Sequence, residues 1–394
     1  MIEPAGPGGT ATRAFLRVGG VTIARHQLAL LLSLGCEKVI CLARTLESDV
    51  IALQHAVEGA GLRFHAVTGP RGLMGLVTAV DEVLVLNEGL LTAPEAAAAW
   101  FEAGPGVAVQ PVEAGLAAGF ERIDARLASA GALRIPGRLV ERLSDLPTDC
   151  DALSTLQRIA LQAGVPQRPL ADAGSGRWLL VRDEAEAQGA ELSWIRLHTA
   201  PSGVTTPSGL IARLAVRAFG PSLLHAGSGG NAVTIAAGAL LLIGLGSGWF
   251  GLGTFALCLC ALAALLRKTG GLLSRVERDS LQLAAPRLPR DLLFGWLLDA
   301  FLIIIIAWNT VLPAGAEAER GYFAPLILLA LLRLLPRTIN DGWAAWLEDR
   351  MVLSLFLAGA ALAGKLDAAV HLLAAVLALT AIVWPTGRFK LTRA

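Results

Sequence analysis

Residues 257–299, LCLCALAALLRKTGGLLSRVERDSLQLAAPRLPRDLLFGWLLD, decide the fold of this chain. The stretch begins inside one long apolar segment, crosses a basic loop, and ends on Asp299 inside the next apolar segment. Two such segments around a charged loop are typical of a pair of membrane-spanning helices. An ionisable residue inside a membrane span is energetically costly, so Asp299 is a candidate functional residue.

The apolar segments on either side of this loop predict six membrane spans in all. They are residues 231–247, 249–266, 292–308, 322–335, 351–364 and 368–384. The fourth and fifth are short for a hydrocarbon core of about 30 Å, but both can extend into flanking residues. Trp249, Trp308, Tyr322 and Trp384 stand at span ends, where aromatic side chains are enriched. We therefore expect residues 231–394 to form an all-α, six-helix transmembrane domain.

The charges between the spans predict their orientation. Basic residues concentrate in the loop 267–291 and in the C-terminal tail, namely Arg267, Lys268, Arg275, Arg278, Arg287, Arg290, Arg388, Lys390 and Arg393. The opposite side carries only Arg320 and Lys365. Because cytoplasmic loops are rich in Lys and Arg, both termini are expected in the cytoplasm. Within the linker 201–230, SGLIARLAVRAFGPSLL is amphipathic and predicts a helix lying on the membrane surface.

Residues 1–200 predict a separate cytoplasmic α/β domain. Short apolar strands (KVICLA, LRFHAV, EVLVL, GVAVQP and RWLLV) alternate with helical patterns such as VTIARHQLALLLSLG, for which Gly35 is a plausible C-cap. This alternation is typical of a Rossmann-like, mostly parallel sheet covered by helices on both faces. The stretch 111–200 is less periodic, with helices expected at RLVERLSDL and DALSTLQRIALQAG.

Composition narrows the classes of partner and compartment. The net charge of +1 gives no overall field that would attract nucleic acid. The five cysteines and six histidines show no metal-ligand or disulfide spacing, which fits a cytoplasmic and membrane setting. The start, MIEPAGPGG, lacks the basic and apolar parts of a secretory signal.

A Gly-rich N-terminal loop carries the first resemblance to a known family. Gly6, Gly8 and Arg13, with Ala5 and Gly9 beside them and residues 17–20 (RVGG) following, resemble the nucleotide-binding start of sugar-phosphate nucleotidyltransferases. The resemblance implies that this loop holds a nucleotide triphosphate, although Arg13 stands where lysine is usual. A Gly-rich start is also typical of a flexible tail.

The same family requires acidic residues that hold Mg²⁺. The position after the central strand falls on Asn87 or Glu88, and Glu88 could ligate a metal. The second acidic position falls on Arg182, with Asp183 beside it. Without a reliable pair of ligands, a nucleotidyltransferase cannot neutralise the charge that develops on phosphate. We therefore interpret the first domain as a degenerate relative that is kept for shape or binding.

The second half resembles the CDP-alcohol phosphotransferases, which have six spans after a surface helix. SGLIAR (208–213) stands where the fused inositol-phosphate cytidylyltransferase and phosphatidylinositol-phosphate-type synthase proteins have Asp-Gly-x-x-x-Arg. GNAVT (230–234) stands at their Pro-Asn-x-x-Thr, with Asn231 suited to cap the first span. The resemblance covers nearly the whole chain in domain order, with no single motif intact.

The family signature is D-x-x-D-G-x-x-A-R followed by G-x-x-x-D-x-x-x-D, and its four aspartates hold the metal and supply the base. Along this chain the signature falls on Arg267, Gly270, Gly271, Ser274 and Arg275, then Gly295, Asp299 and Ile303, after a longer spacer. One carboxylate of the four survives, which predicts that the chemistry is lost. Mg²⁺ is expected only if activity remains.

Fixed cations stand where the family has its metal and carboxylates. They are Arg267, Lys268 and Arg275, in the signature region. Arginine can pair directly with phosphate, so a lipid or nucleotide phosphate could bind without metal. The competing interpretation is that these are ordinary charges of a cytoplasmic loop. The polar candidates inside the spans are Asp299, Arg333 and His371.

The apolar segments predict a multi-pass membrane protein. The resemblance implies that the membrane is the bacterial inner membrane and that the protein acts in phospholipid metabolism of the inositol-lipid type. The leading hypothesis is a pseudoenzyme that binds a lipid or nucleotide phosphate, or that regulates an active paralogue as part of a homodimer or heterodimer. One alternative is an active CDP-alcohol phosphotransferase with rewired ligands that releases CMP. The other is a membrane scaffold or transporter.

Overall fold

The computed structural model describes residues 2–6, 12–145, 151–171, 177–201, 203–225, 229–281, 290–310, 320–338 and 342–383. The chain divides into two compact units. Unit 1 comprises Met1–Trp194 and Glu277–Leu283, and unit 2 comprises Ile195–Val276 and Ala284–Ala394. Gly8, Arg287, Trp384 and the basic tail lie outside the described residues.

Unit 1 contains ten short strands. They are β1 Arg17–Val18, β2 Val21–Thr22, β3 Lys38–Leu42, β4 Arg63–Val67, β5 Glu82–Leu86, β6 Leu90–Thr92, β7 Gly106–Pro111, β8 Leu127–Pro136, β9 Gln167–Pro169 and β10 Trp178–Leu180. The helices are α1 Ile23–Ser33, α2 Ser48–Gly59, α3 Pro94–Glu102, α4 Val112–Ala117, α5 Ala152–Gln162 and α6 Glu184–His198, with the last turn of α6 belonging to unit 2. Short 3₁₀ turns occupy Arg13–Phe15, Pro70–Leu73 and Gly137–Asp145.

The local sequence accounts for the ends of the predicted helices. After α1, Gly35 has a φ of 73°, the left-handed conformation that glycine adopts without a steric penalty. The side chain of Asp151 caps α5 by accepting a hydrogen bond from the backbone N–H of Ser154 at 2.8 Å. The five predicted strands are confirmed as β3, β4, β5, β7 and β10.

The expectation of a mostly parallel sheet is wrong. Strand order in the largest sheet is β5-β8-β7-β9, and β8 runs antiparallel to both of its neighbours. Parallel pairing is confined to β3 with β4 and β7 with β9, and the described strands form four separate small sheets. No local pattern predicts β8, because LASAGALRIP contains three Ala and one Gly but a single β-branched residue. Burial holds it in place, since Ala128, Ala130, Ala132 and Leu133 have no measurable exposure.

Unit 2 is helical. Its helices are α7 Pro207–His225, α8 Gly229–Trp249, α9 Gly253–Ser280, α10 Arg290–Asn309, α11 Arg320–Thr338, α12 Ala344–Leu347, α13 Arg350–Leu362 and α14 Leu366–Val383, with the last turn of α9 belonging to unit 1. Among the described residues, five of these helices (α8, α9, α10, α11 and α14) are long and apolar enough to cross a membrane. Helix α13 has 13 residues, which at 1.5 Å per residue is about 20 Å and short of a full span. The predicted six spans are therefore represented by five spans and one shorter apolar helix.

Packing in unit 2 follows the pattern expected in lipid. Leu241, Leu257, Leu302 and Ile305 are fully buried where the helices meet. Large apolar side chains such as Phe250, Phe323, Leu362 and Ile382 are at least 70% exposed, which water would disfavour and lipid would not. At the ends of α8 and α10, Trp249 and Trp308 pack edge to face with ring centroids 5.0 Å apart. Their position at the ends of two spans fits the enrichment of tryptophan at membrane–water interfaces.

Candidate functional site

The described residues on either side of the Gly-rich loop of unit 1 are bound by a carboxylate of the protein itself. Glu88 accepts hydrogen bonds from the backbone N–H groups of Ile2 (2.6 Å), Glu3 (3.1 Å) and Ala14 (3.4 Å). Arg13 pairs with Glu3, so the described segments before and after the loop are joined to each other. These backbone donors are the kind that would bind a phosphate oxygen, and here they bind Glu88.

The second acidic position of unit 1 is also committed to local structure. Arg182 forms an ion pair with Glu186, and this hydrogen bonding holds the pKa of the Glu186 carboxyl below its usual range. Asp183 caps the start of α6 by accepting from the N–H of Glu186 at 2.8 Å, and a side chain at Gly6 would lie 3.5 Å from its Cβ. Among the described residues, no three His, Cys, Asp or Glu side chains gather in a way that could hold a metal ion.

In unit 2, Arg267 has a local counter-ion. Its guanidinium donates to Thr234 Oγ1 at 2.9 Å, pairs with Asp291, and lies 5.6 Å from the ring centroid of Phe294. A side chain at Gly271 would approach Asp291 at 3.9 Å. Arg267 is therefore engaged by neighbouring helices, which leaves it little freedom to take up a ligand.

Two further predicted residues are open to the surroundings and do not converge on a common site. Arg275 is exposed on α9. Asn231 is the third residue of α8 and exposed, so the expectation that it caps the first span is wrong. The preceding residue, Gly230, packs closely against α9, and a side chain at this position would overlap Ser274.

Asp299 lies at the centre of an ion-pair cluster, which we call the arginine–aspartate triad (Asp299, Arg333 and Arg350). Arg350 binds it with two nitrogens, Nε to Oδ1 at 2.8 Å and Nη2 to Oδ2 at 3.2 Å. Arg333 donates from Nε to Oδ2 at 2.5 Å. The Asp299 side chain is 6% exposed, so the prediction that a carboxylate within a span needs a partner is confirmed.

A second cluster lies where α7 begins, and we call it the basic cluster (Thr206, Ser208, Arg213 and Lys268). The ammonium group of Lys268 donates to Thr206 Oγ1 at 2.9 Å and to Ser208 Oγ at 2.8 Å. Arg213 donates to Thr205 Oγ1 at 3.3 Å. Neither cation forms an ion pair with any carboxylate of the part of the chain that the structure describes.

Gly209 marks the centre of the basic cluster. A Cβ atom at this position would lie 3.8 Å from Arg213 Nη2, 4.0 Å from Lys268 Nζ and 3.1 Å from Thr206 Oγ1. Because glycine has no side chain, two cations and a hydroxyl group border the same small space. Gly209 is buried, and its backbone N–H donates to Thr206 Oγ1 at 3.3 Å.

Asp349 holds the basic cluster in shape. Its Oδ2 accepts from the backbone N–H of Ser208 at 2.9 Å and from Ser208 Oγ at 2.7 Å. Its Oδ1 accepts from Val352 N at 3.4 Å and so caps α13. Since the hydroxyl hydrogen of Ser208 points to Asp349, its lone pairs remain free to accept from Lys268.

The sequence interpretation found part of this arrangement. It named Asp299, Arg213, Lys268 and Arg333, but it missed Asp349 and Arg350. An acidic residue directly before an apolar helix is a cap signal that could have indicated Asp349. Nothing local indicates Arg350, because its partner Asp299 lies 51 residues earlier in the chain.

Fold and site together define a class, a membrane-embedded protein with an α/β unit and a cation-rich cluster on its helical unit. Comparison with protein-family models and with curated proteins gives no match to either.

Proposed function

We propose that this protein is a CDP-alcohol phosphotransferase-like membrane protein that binds a lipid or nucleotide phosphate at the basic cluster without a metal ion. The observation that supports it most directly is the space over Gly209, which Arg213 and Lys268 both border within about 4 Å. Neither cation forms an ion pair with a carboxylate among the described residues. Asp349 and Glu348 act on the charge of Lys268 only from a longer distance, so the space between the two cations favours an anion.

The groups of the basic cluster suit a phosphate in particular. A phosphate offers several oxygen acceptors, and the cluster offers an ammonium group, a guanidinium group and hydroxyl groups. Lys268 acts as a point charge and Arg213 as a planar donor. Both belong to segments whose sequence resembles the family's motifs, SGLIAR and the signature region.

Two observations support binding rather than turnover. Asp299, the one surviving aspartate of the signature, accepts three hydrogen bonds from two arginines, and their positive charges disfavour a metal cation beside it. The position of the expected base is Ile303, which packs against the apolar core of unit 2. With neither metal nor base, the hydroxyl group of an acceptor would not be activated.

The cellular setting follows from the same resemblance and from the loop charges. The protein would lie in a bacterial inner membrane with both termini and unit 1 in the cytoplasm, and would act in phospholipid metabolism. Self-association, or association with an active paralogue, would let the bound phosphate regulate that enzyme.

The test combines binding with turnover on the full-length protein in nanodiscs that contain CDP-diacylglycerol. We expect binding in the presence of EDTA, and loss of about tenfold in affinity in Lys268→Ala and in Arg213→Ala, since a charge-assisted hydrogen bond contributes about 1.5–3 kcal/mol. Arg217→Ala is the matched control, because Arg217 lies one turn further along α7 and is exposed.

Turnover is measured as CMP release with Mg²⁺ and phosphorylated polyols. We expect none. Mg²⁺-dependent release that Asp299→Asn abolishes would overturn the pseudoenzyme proposal in favour of rewired catalysis. Absence of both binding and release would favour a membrane scaffold.

A further inference from the structure

The two arginines of the arginine–aspartate triad use their donors unequally. Arg350 is fully engaged, with two nitrogens on Asp299 and Nη1 on the carbonyl oxygen of Leu347 at 2.8 Å. Arg333 donates to Asp299 through Nε alone. Its two terminal nitrogens have no hydrogen-bond acceptor among the residues that the structure describes, although a guanidinium carries five N–H donors.

The surroundings of Arg333 leave those terminal nitrogens accessible. A side chain at Gly295 would lie 3.7 Å from Arg333 Nη2, so the glycine leaves room beside the guanidinium edge. The guanidinium carbon lies 3.7 Å from the ring centroid of Trp296, which orients the plane of the group. Trp296 is 53% exposed, so this edge lies next to the outer surface of the helices.

Charge in the triad is not balanced. Asp299 supplies one negative charge, and Arg333 and Arg350 supply two positive charges. Arg350 alone already satisfies both oxygens of the carboxylate. Arg333 lies within the apolar helix Gly321–Thr338, where an uncompensated charge is costly. A fourth, anionic group beside Arg333 would complete the cluster.

We propose that Arg333, Gly295 and Trp296 form a binding site for the phosphate group of an anionic phospholipid. The two terminal nitrogens of a guanidinium match two oxygens of one phosphate, which is a bidentate geometry that lysine cannot supply. Trp296 lies within two turns of the start of α10, and tryptophan is favoured near the headgroups at the end of a span. This site shares no residue with the basic cluster, and it does not depend on the function proposed above.

Trp296 allows a direct test, because brominated acyl chains quench tryptophan fluorescence on contact. The full-length protein is reconstituted in bilayers containing dibromo-phosphatidylglycerol or dibromo-phosphatidylcholine. The difference in quenching between wild type and Trp296→Phe isolates this ring from the other tryptophans. We expect the anionic lipid to be preferred there by about fivefold, the value for one membrane-surface cation, and the preference to disappear in Arg333→Gln.

Three controls keep the inference falsifiable. Gly295→Leu fills the space beside Nη2 while the triad stays intact, so it should abolish the preference even if Arg333→Gln folds poorly. Arg337→Gln removes an exposed charge one turn along α11 and should leave the preference unchanged. Equal quenching by both lipids in wild type, or a preference that survives Gly295→Leu, would overturn the site.

Inorganic phosphate distinguishes a lipid headgroup from a soluble anion. If the site is built for a lipid, added phosphate should leave the quenching by phosphatidylglycerol unchanged. Displacement of the lipid by inorganic phosphate would assign the site to a soluble phosphate and overturn the lipid proposal.

Discussion

Replacement of Asp299 by asparagine tests the balance of charge inside unit 2. The substitution keeps the shape of the side chain and removes the negative charge between Arg333 and Arg350. Both arginines are largely buried, with side chains 19% and 12% exposed, so neither can regain full hydration by a small movement. The variant is therefore left with two buried like charges that face each other.

The magnitude follows from the number of contacts that are lost. Three N···O contacts of 2.5, 2.8 and 3.2 Å join the carboxylate to the two guanidinium groups. Removing one member of a buried ion pair costs about 3–5 kcal/mol. Asparagine retains one acceptor oxygen, so we expect a loss near the lower end, about 3 kcal/mol in the free energy of unfolding. Adding Arg333→Met should recover part of this loss, because neighbouring residues couple by about 0.5–3 kcal/mol.

Unfolding is followed by circular dichroism while SDS is added to the protein in dodecylmaltoside micelles. Asp367→Asn is the matched control, since Asp367 stands in the first turn of α14 with a side chain 56% exposed, and its loss should cost little. An Asp299→Asn variant within about 0.5 kcal/mol of wild type would refute the reasoning. So would a double variant less stable than Asp299→Asn by the full cost of a second buried defect.

Three further predictions concern other contacts. Glu88→Gln should weaken the hold on Ile2, Glu3 and Ala14 at a cost of about 1–2 kcal/mol, seen as faster hydrogen exchange of their backbone amides. Unchanged exchange would contradict the three hydrogen bonds. Gly230→Val should destabilise unit 2 by about 1–3 kcal/mol, because the new side chain would overlap Ser274 of the facing helix. Gly246→Val is the control and should cost little, because the space around Gly246 is open. Equal losses of stability in the two variants would contradict the close contact at Gly230. Because Arg182 lowers the pKa of Glu186, their pair should stabilise unit 1 at pH values above the ordinary glutamate pKa. This stabilisation should be lost as the pH falls through the lowered pKa of Glu186. Glu186→Gln should flatten that part of the pH–stability curve by a few tenths of a kcal/mol at this half-exposed site.

The sequence predicted those strands and helices whose own consecutive residues show a clear hydrophobic period or capping residue. The apolar strands KVICLA and EVLVL and the amphipathic helix α5 were found because periodicity and caps are written in consecutive residues. Strand β8 was missed because its small residues are favoured only by the neighbours that cover them. A central antiparallel strand then changed the expected sheet, which no local pattern could reveal.

The candidate sites show the same division. The sequence alone predicted the apolar segments, five of which form helices long enough to cross a membrane among the described residues. It also marked Asp299, since a charge in an apolar segment stands out wherever the chain folds. Only tertiary structure decided that Asp299 faces two arginines, that Glu88 binds backbone N–H groups, and that Lys268 meets the start of α7. Hydropathy is a property of consecutive residues, whereas an ion pair or a binding site joins residues tens of positions apart. Such pairings depend on how the helices pack, and that packing is set by the whole chain.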